Sequence, residues 1–154
     1  MSNQDEHCVE LYNLVSQETG VYAGKRGVSG TNFSGHRLSI HTTEVWGLAY
    51  SISNVLYISL ARRKRGVILK VNTQTGDTDR LLEVDGYRFT RLHYHEPLER
   101  LFAISNKYLM TFDMVDFQTV YNLTWKLQPS LSSLKDFLVY RPYLFLVSDY
   151  DHHR

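Results

Sequence analysis

The chain has 154 residues and a formal charge of +1, so bulk electrostatics single out neither nucleic acid nor acidic ligands and any charge argument is local. Its one cysteine, Cys8, excludes an intrachain disulfide, and no apolar run approaches the roughly 18 residues that a membrane-spanning helix needs. With 43% hydrophobic residues, 11 Tyr and 7 Phe, there is material for one core, and the aromatic and β-branched load favours strands over helices.

The N-terminal MSNQDEHCVELYNLV carries acidic residues and no basic segment ahead of an apolar core, so it does not read as a signal peptide, and the chain as written is expected in the cytoplasm. Residues 9–14, VELYNL, alternate apolar and polar and run into Gln17-Glu18-Thr19-Gly20. VILKVN at 67–72 runs in the same way into Gln74-Thr75-Gly76. Each reads as a strand entering a polar turn that closes at glycine, where positive φ carries no steric cost. Residues 24–37, GKRGVSGTNFSGHR, are a Gly/Ser-rich loop without the Gly-x4-Gly-Lys-Ser/Thr or Gly-x-Gly-x-x-Gly spacing of a phosphate cradle. Residues 38–43, LSIHTT, are predicted to be an outer strand that completes a first, partial unit.

The next unit is written in full. WGLAY (46–50) and VLYISL (55–60) form a hairpin across Ser51–Asn54, the turn ARRKRG (61–66) leads to VILKVN, and TQTGDTD leads to RLLEV (80–84). A further unit follows: FTRLHY (89–94), RLFAIS (100–105), YLMTFDM (108–114) and TVYNLTW (119–125), with Pro97 in the turn His95–Glu99. DFLVY (136–140) and YLFLVS (143–148) begin one more, across Arg141-Pro142.

Three of these stretches share a phrase. Leu48, Leu92 and Leu138 each open Leu-x-Tyr, at intervals of 44 and 46 residues, and Ser59, Ser105 and Ser148 each close an apolar run, at intervals of 46 and 43. A period in the forties built from short strands marks β-propeller blades. The expected fold is therefore all-β, a partial β-propeller of about three four-stranded antiparallel blades: one half, two whole and one half. Residues 1–44 hold the partial first blade and the loop, and residues 45–154 the two whole blades and the first half of another. An open stack leaves strand edges unpaired, so a homodimer formed by ring closure or edge pairing is a further expectation.

The phrases LYISL, LFAIS and LFLVSDYDHHR resemble degenerate forms of the Tyr-Trp-Thr-Asp (YWTD) phrase of low-density-lipoprotein-receptor-type propellers. Leu146, Val147, Ser148 and Asp149 fall on its four positions; Tyr57 keeps its tyrosine, no copy has its tryptophan, and Leu60 and Asn106 replace its aspartate. EVWGLAYSISNVLYIS is similar to the opening of an NHL-type blade. The first resemblance implies an extracellular receptor piece, the second a mostly intracellular one, and both imply a propeller.

Arg62-Arg63-Lys64-Arg65 is the strongest local charge feature. A solvated, aggregation-resistant hairpin tip accounts for it, and so does a contact for an anion, RNA or acidic peptide. Strand alternation carries this turn to the same end as residues 85–88 and 126–136, so Tyr87, Arg88, Lys126 and Lys135 extend the candidate binding surface. His93 and His95, two apart on a strand, can face one way, but no third ligand is spaced to join them, so no metal and no cofactor is expected. The inner strands offer Glu44, His93, His95 and Asp136 without matching positions between units, and Cys8 and the serines lack a neighbouring base, so no catalytic residues are assigned. Two sequons occur, Asn32-Phe33-Ser34 and Asn122-Leu123-Thr124. The expected function is a non-catalytic protein–protein interaction module, a scaffold within a larger receptor or adaptor, that takes a protein or acidic peptide. An RNA-binding propeller fragment using the turn 61–66 and a metal-dependent propeller hydrolase stay open as alternatives.

Overall fold

The structure, a computed structural model, describes residues 2–3, 7–62, 64–105, 108–114, 125–126, 133–140 and 143–149. These residues are all-β, with no α-helix among them, and form four antiparallel sheets. The first holds β1 (Ser2–Asn3), β2 (Cys8–Tyr12) and β3 (Thr19–Gly24) in that order. The second has the order β4-β8-β7-β6-β5, from β4 (Gly35–His36), β5 (Glu44–Ser51), β6 (Val55–Arg62), β7 (Arg65–Asn72) and β8 (Asp77–Asp85). The third is β12-β11-β10-β9, from β9 (Arg91–His95), β10 (Arg100–Ser105), β11 (Tyr108–Asp113) and β12 (Trp125–Lys126). The fourth pairs β13 (Ser133–Tyr140) with β14 (Tyr143–Asp149).

The turn-bearing strands β2 and β7 are close copies of one another. Asn13 Oδ1 accepts from the amides of Val15 (2.8 Å) and Ser16 (3.1 Å), and Asn72 Oδ1 accepts from those of Gln74 (2.9 Å) and Thr75 (3.1 Å). Such an Asx turn lets a short side chain replace the backbone partner that the turn removes. A β-bulge follows Val9 in one strand and Ile68 in the other, at the same distance before the asparagine. The turn after β2 differs from expectation in one respect. Its left-handed residue is Gln17, φ 59°, where its counterpart is Gly76, φ 81°; Gly20 lies within β3 opposite Leu11.

Residues 38–43 do not form the expected outer strand. Arg37 donates its amide to Gly76 O (2.7 Å) and accepts from Gly24 N (2.8 Å), which ties this segment between β3 and β8. Gly35–His36 instead adds a short edge strand to the second sheet, and Phe33 and Ile40 are buried as a plug in the first core cluster. These two buried apolar anchors hold the segment in place of a strand ladder. The turn expected at 61–66 is tighter, because β6 and β7 pair out to Arg62 opposite Arg65. Of TVYNLTW, only Trp125 lies within the described residues.

Successive sheets stack face to face over three clusters. Ile58, Leu60, Val67 and Leu69 meet Val9 and Ala23; Ala49, Tyr57 and Ile68 meet Leu92, Leu101 and Met110; Ile104 and Leu109 meet Phe137. The first strands run alongside one another in step. A Cβ on Gly47 would lie 3.2 Å from both Arg91 Cα and Leu92 N, Ile52 N donates to Glu96 Oε1 (2.5 Å), and the ring centroids of His93 and Phe137 are 6.1 Å apart.

Facing fixes which residues correspond between sheets. Leu48 opposite Ile58, Leu92 opposite Ala103, and Phe137 opposite Leu146 each turn toward the preceding sheet. Leu138 and Tyr140 therefore sit one residue out of step with Leu48 and Tyr50, on the opposite face. Ser59 is likewise one residue out of step with Ser105: it lies opposite Gly47, and Ile104 holds the corresponding place in the third sheet. Intervening turns of different length shift the phrase, while the pairing follows the buried face.

Gly47 is the position where β5 and β9 meet backbone to backbone. Gly47→Ala is expected to cost about 1–3 kcal/mol by overpacking, read as a lower denaturant midpoint with an unchanged slope.

Candidate functional site

The strand directions gather two sets of turns at opposite ends of the sheets. At one end the β6–β7 turn lies against the crossing from the second sheet to the third, with Gly86 N donating to Lys64 O (2.7 Å). This crossing is close-fitted: a Cβ on Gly66 would lie 2.7 Å from the Phe89 ring and 3.0 Å from Tyr87 O. Arg88 N donates to Ser105 Oγ (2.9 Å), which pins the segment as it enters the third sheet. Lys126 pairs opposite Tyr108 at this end, and Lys135 lies near the start of β13 at the register shift between Leu134 and Asp136.

Of the predicted binding residues, Lys64, Arg65 and Arg88 are exposed. Arg65 is held by two carboxylates, Glu83 (3.1 Å) and Asp85 (2.7 Å), and Glu83 also pairs with Arg80 (2.6 Å). The charge there is therefore mixed. The Tyr87 ring is half-buried, edge-on to Tyr108 with centroids 6.0 Å apart, and belongs to the second core cluster. Arg62, Lys126 and Lys135 are placed by their strands, and Arg63 lies outside the described residues.

The histidines and carboxylates of the inner strands do not converge on one site among the described residues. His93 lies between the third and fourth sheets, and His95 is buried with no hydrogen-bond partner at Nδ1. Glu44 accepts from Trp46 Nε1 (3.2 Å), and Asp136 lies 3.9 Å from Arg91 Nε. Among the described residues no three of His, Cys, Asp and Glu gather as a metal site. No helix among them is long and apolar enough to cross a membrane. Asn32 of the first sequon is exposed, and Asn122 lies outside the described residues.

Two apolar features stand apart from the predicted surface. One is a cavity of about 360 Å³ between the first and second sheets, lined by Leu11, Tyr22, Leu48, Tyr50 and Leu56, with Glu10 and Thr73 as the polar residues of its wall. Tyr22 Oη is buried there without a partner, and burial pushes its hydroxyl pKa up. The other is the outer face of β13–β14, where Leu138, Tyr140, Tyr143, Phe145 and Val147 are all exposed. The signal for it was in the sequence: FLVY and YLFLV are apolar at consecutive positions, which fits strands covered on both faces.

No family model matches the chain, and no curated protein matches it.

Burial holds the pKa of His93 below its ordinary 6.5, with the nearby His95 acting in the same direction and a hydrogen bond to the Val139 backbone opposing. The unfolded chain takes up this proton near 6.5, whereas the folded chain does so only at lower pH. Stability is therefore expected to fall as the pH drops below 6.5 toward the folded value. His93→Phe is expected to flatten that part of the profile, read by denaturant unfolding at a series of pH values.

Proposed function

We propose that the chain is a partial propeller-type stack of blades and acts as a non-catalytic protein-interaction module, with its charged end taking an acidic segment of a protein partner. The propeller reading is supported by consecutive antiparallel sheets whose first strands lie alongside one another in step. A single observation carries the binding reading: the Gly86–Lys64 hydrogen bond, which sets the basic turn beside residues 85–88 and joins two short segments into one rigid surface. Arg62, Arg63, Lys64 and Arg88 supply the cationic contacts. Arg65, gripped by Glu83 and Asp85, fixes the turn and limits the excess of positive charge.

That limit favours a short acidic peptide over a polyanion. RNA binding through the same turn is the second reading, and it predicts a much steeper loss of affinity with salt. The test is a titration of the full chain with fluorescein-labelled hexaglutamate and, separately, with oligouridine, at low and moderate salt. Binding of the peptide that weakens by roughly tenfold in Arg62→Glu/Arg63→Glu supports the proposal. Binding of oligouridine alone replaces it with the second reading, and binding of neither overturns both.

A further inference from the structure

The apolar cavity and the exposed face of β13–β14 are the two unmatched halves of an interface that the chain already makes twice. Position by position, Tyr57, Phe102 and Phe145 correspond, each on the second strand of its sheet and facing the sheet that follows. Tyr57 is 3% exposed and stacks on Tyr94 of the third sheet, with centroids 5.4 Å apart. Phe102 packs into the cluster that contains Val139 of the fourth sheet. Phe145 is 54% exposed, with no described sheet beyond it. On the receiving side Tyr94, Val139 and Tyr50 correspond, opposite Leu101, Leu144 and Leu56 respectively. Tyr50 is also 54% exposed, and it lines the cavity.

The strand inventory agrees with this division. β13 and β14 are the first and second strands of a sheet, and β14 has β13 as its sole described neighbour. β2 and β3 match the third and fourth strands, because their Asx turn and bulge repeat those of β7 and β8. Beside β2 the described ladder is β1, which pairs at Cys8 and Val9. The cavity lies where first and second strands would cover Leu48, Tyr50 and Leu56 of the second sheet.

We infer that a second copy of this chain fills that place: β13–β14 of one copy adds to the β2–β3 sheet of its partner, and Phe145 enters the partner's cavity against Tyr50. This inference rests on the blade reading proposed above. Each copy then contributes two whole sheets and two halves, and the pair closes a ring of six, within the roughly four to eight blades that such rings hold. Closure removes the unpaired edge and covers both apolar surfaces at once.

The test uses the full chain. Sedimentation equilibrium is expected to give a two-chain species, and Phe145→Asp to weaken its association by roughly tenfold or more while the far-UV spectrum is retained. Because Cys8 is buried, engineered thiols can be read cleanly. A mixture of Tyr50→Cys and Phe145→Cys chains, mildly oxidised, is expected to give a covalent heterodimer, whereas Leu98→Cys with Phe145→Cys is not. A one-chain species at every concentration, or a dimer that does not link 50 to 145, overturns the inference. The crosslink is read on chains that place no charge in the interface, so it decides the matter even if Phe145→Asp fails to fold. Peptide binding by a monomeric chain would leave the interaction reading standing and remove the pairing alone.

Discussion

The first strands of the second and third sheets come within backbone contact at one point, and one glycine allows it. Gly47 sits opposite Ser59 within its own sheet, and its missing Cβ leaves room for Arg91 Cα and Leu92 N of the next. Because β5 and β9 meet there in step, Tyr57 reaches Tyr94, and Ala49 and Ile68 close over Leu92 and Leu101. Gly66 performs a related task at the far end, where the chain crosses under the β6–β7 turn and any side chain would strike Phe89. Both glycines set distances between segments rather than bends within them.

Packing on both faces explains why the apolar residues of the middle sheets run consecutively. In β7, Val67, Leu69 and Val71 point to the first sheet and Ile68 to the third, and all are fully buried. The same composition in β13–β14 leaves one face covered by Ile104 and Leu109 and the other in solvent. An exposed contiguous apolar face of this kind is uncommon on an isolated domain. The cavity beside Tyr50 lies on the matching side of the second sheet, where Leu48, Tyr50 and Leu56 face the first.

The basic turn has its own carboxylates close by, and ion pairs as exposed as those of Arg65 contribute little stability, on the order of 0–1 kcal/mol. Their effect is on geometry and local charge: they orient Arg65 and lower the net positive potential of the turn.

The strand content, the hairpins of the second and third sheets and the proximity of residues 61–66 to 85–88 were legible in the sequence, because alternation and turn residues are local properties. Asn13 and Asn72 show how far this goes: a side chain two residues from the amides it caps needs no tertiary partner. The register of the repeats was not legible. Leu138-x-Tyr140 copies Leu48-x-Tyr50 in letters yet faces the other way, since which face is buried depends on Ile104 and Leu109, distant in sequence. The same holds for Gly35–His36, recruited as an edge strand by the turn at Gly76, and for Tyr87, whose ring the third sheet takes into its core. By itself the sequence determined where strands begin and turn, through backbone and side-chain preferences that act over a few residues. Only the tertiary structure decided which face each strand presents, and so where apolar surface stays exposed, because burial is a property of the neighbour as much as of the strand.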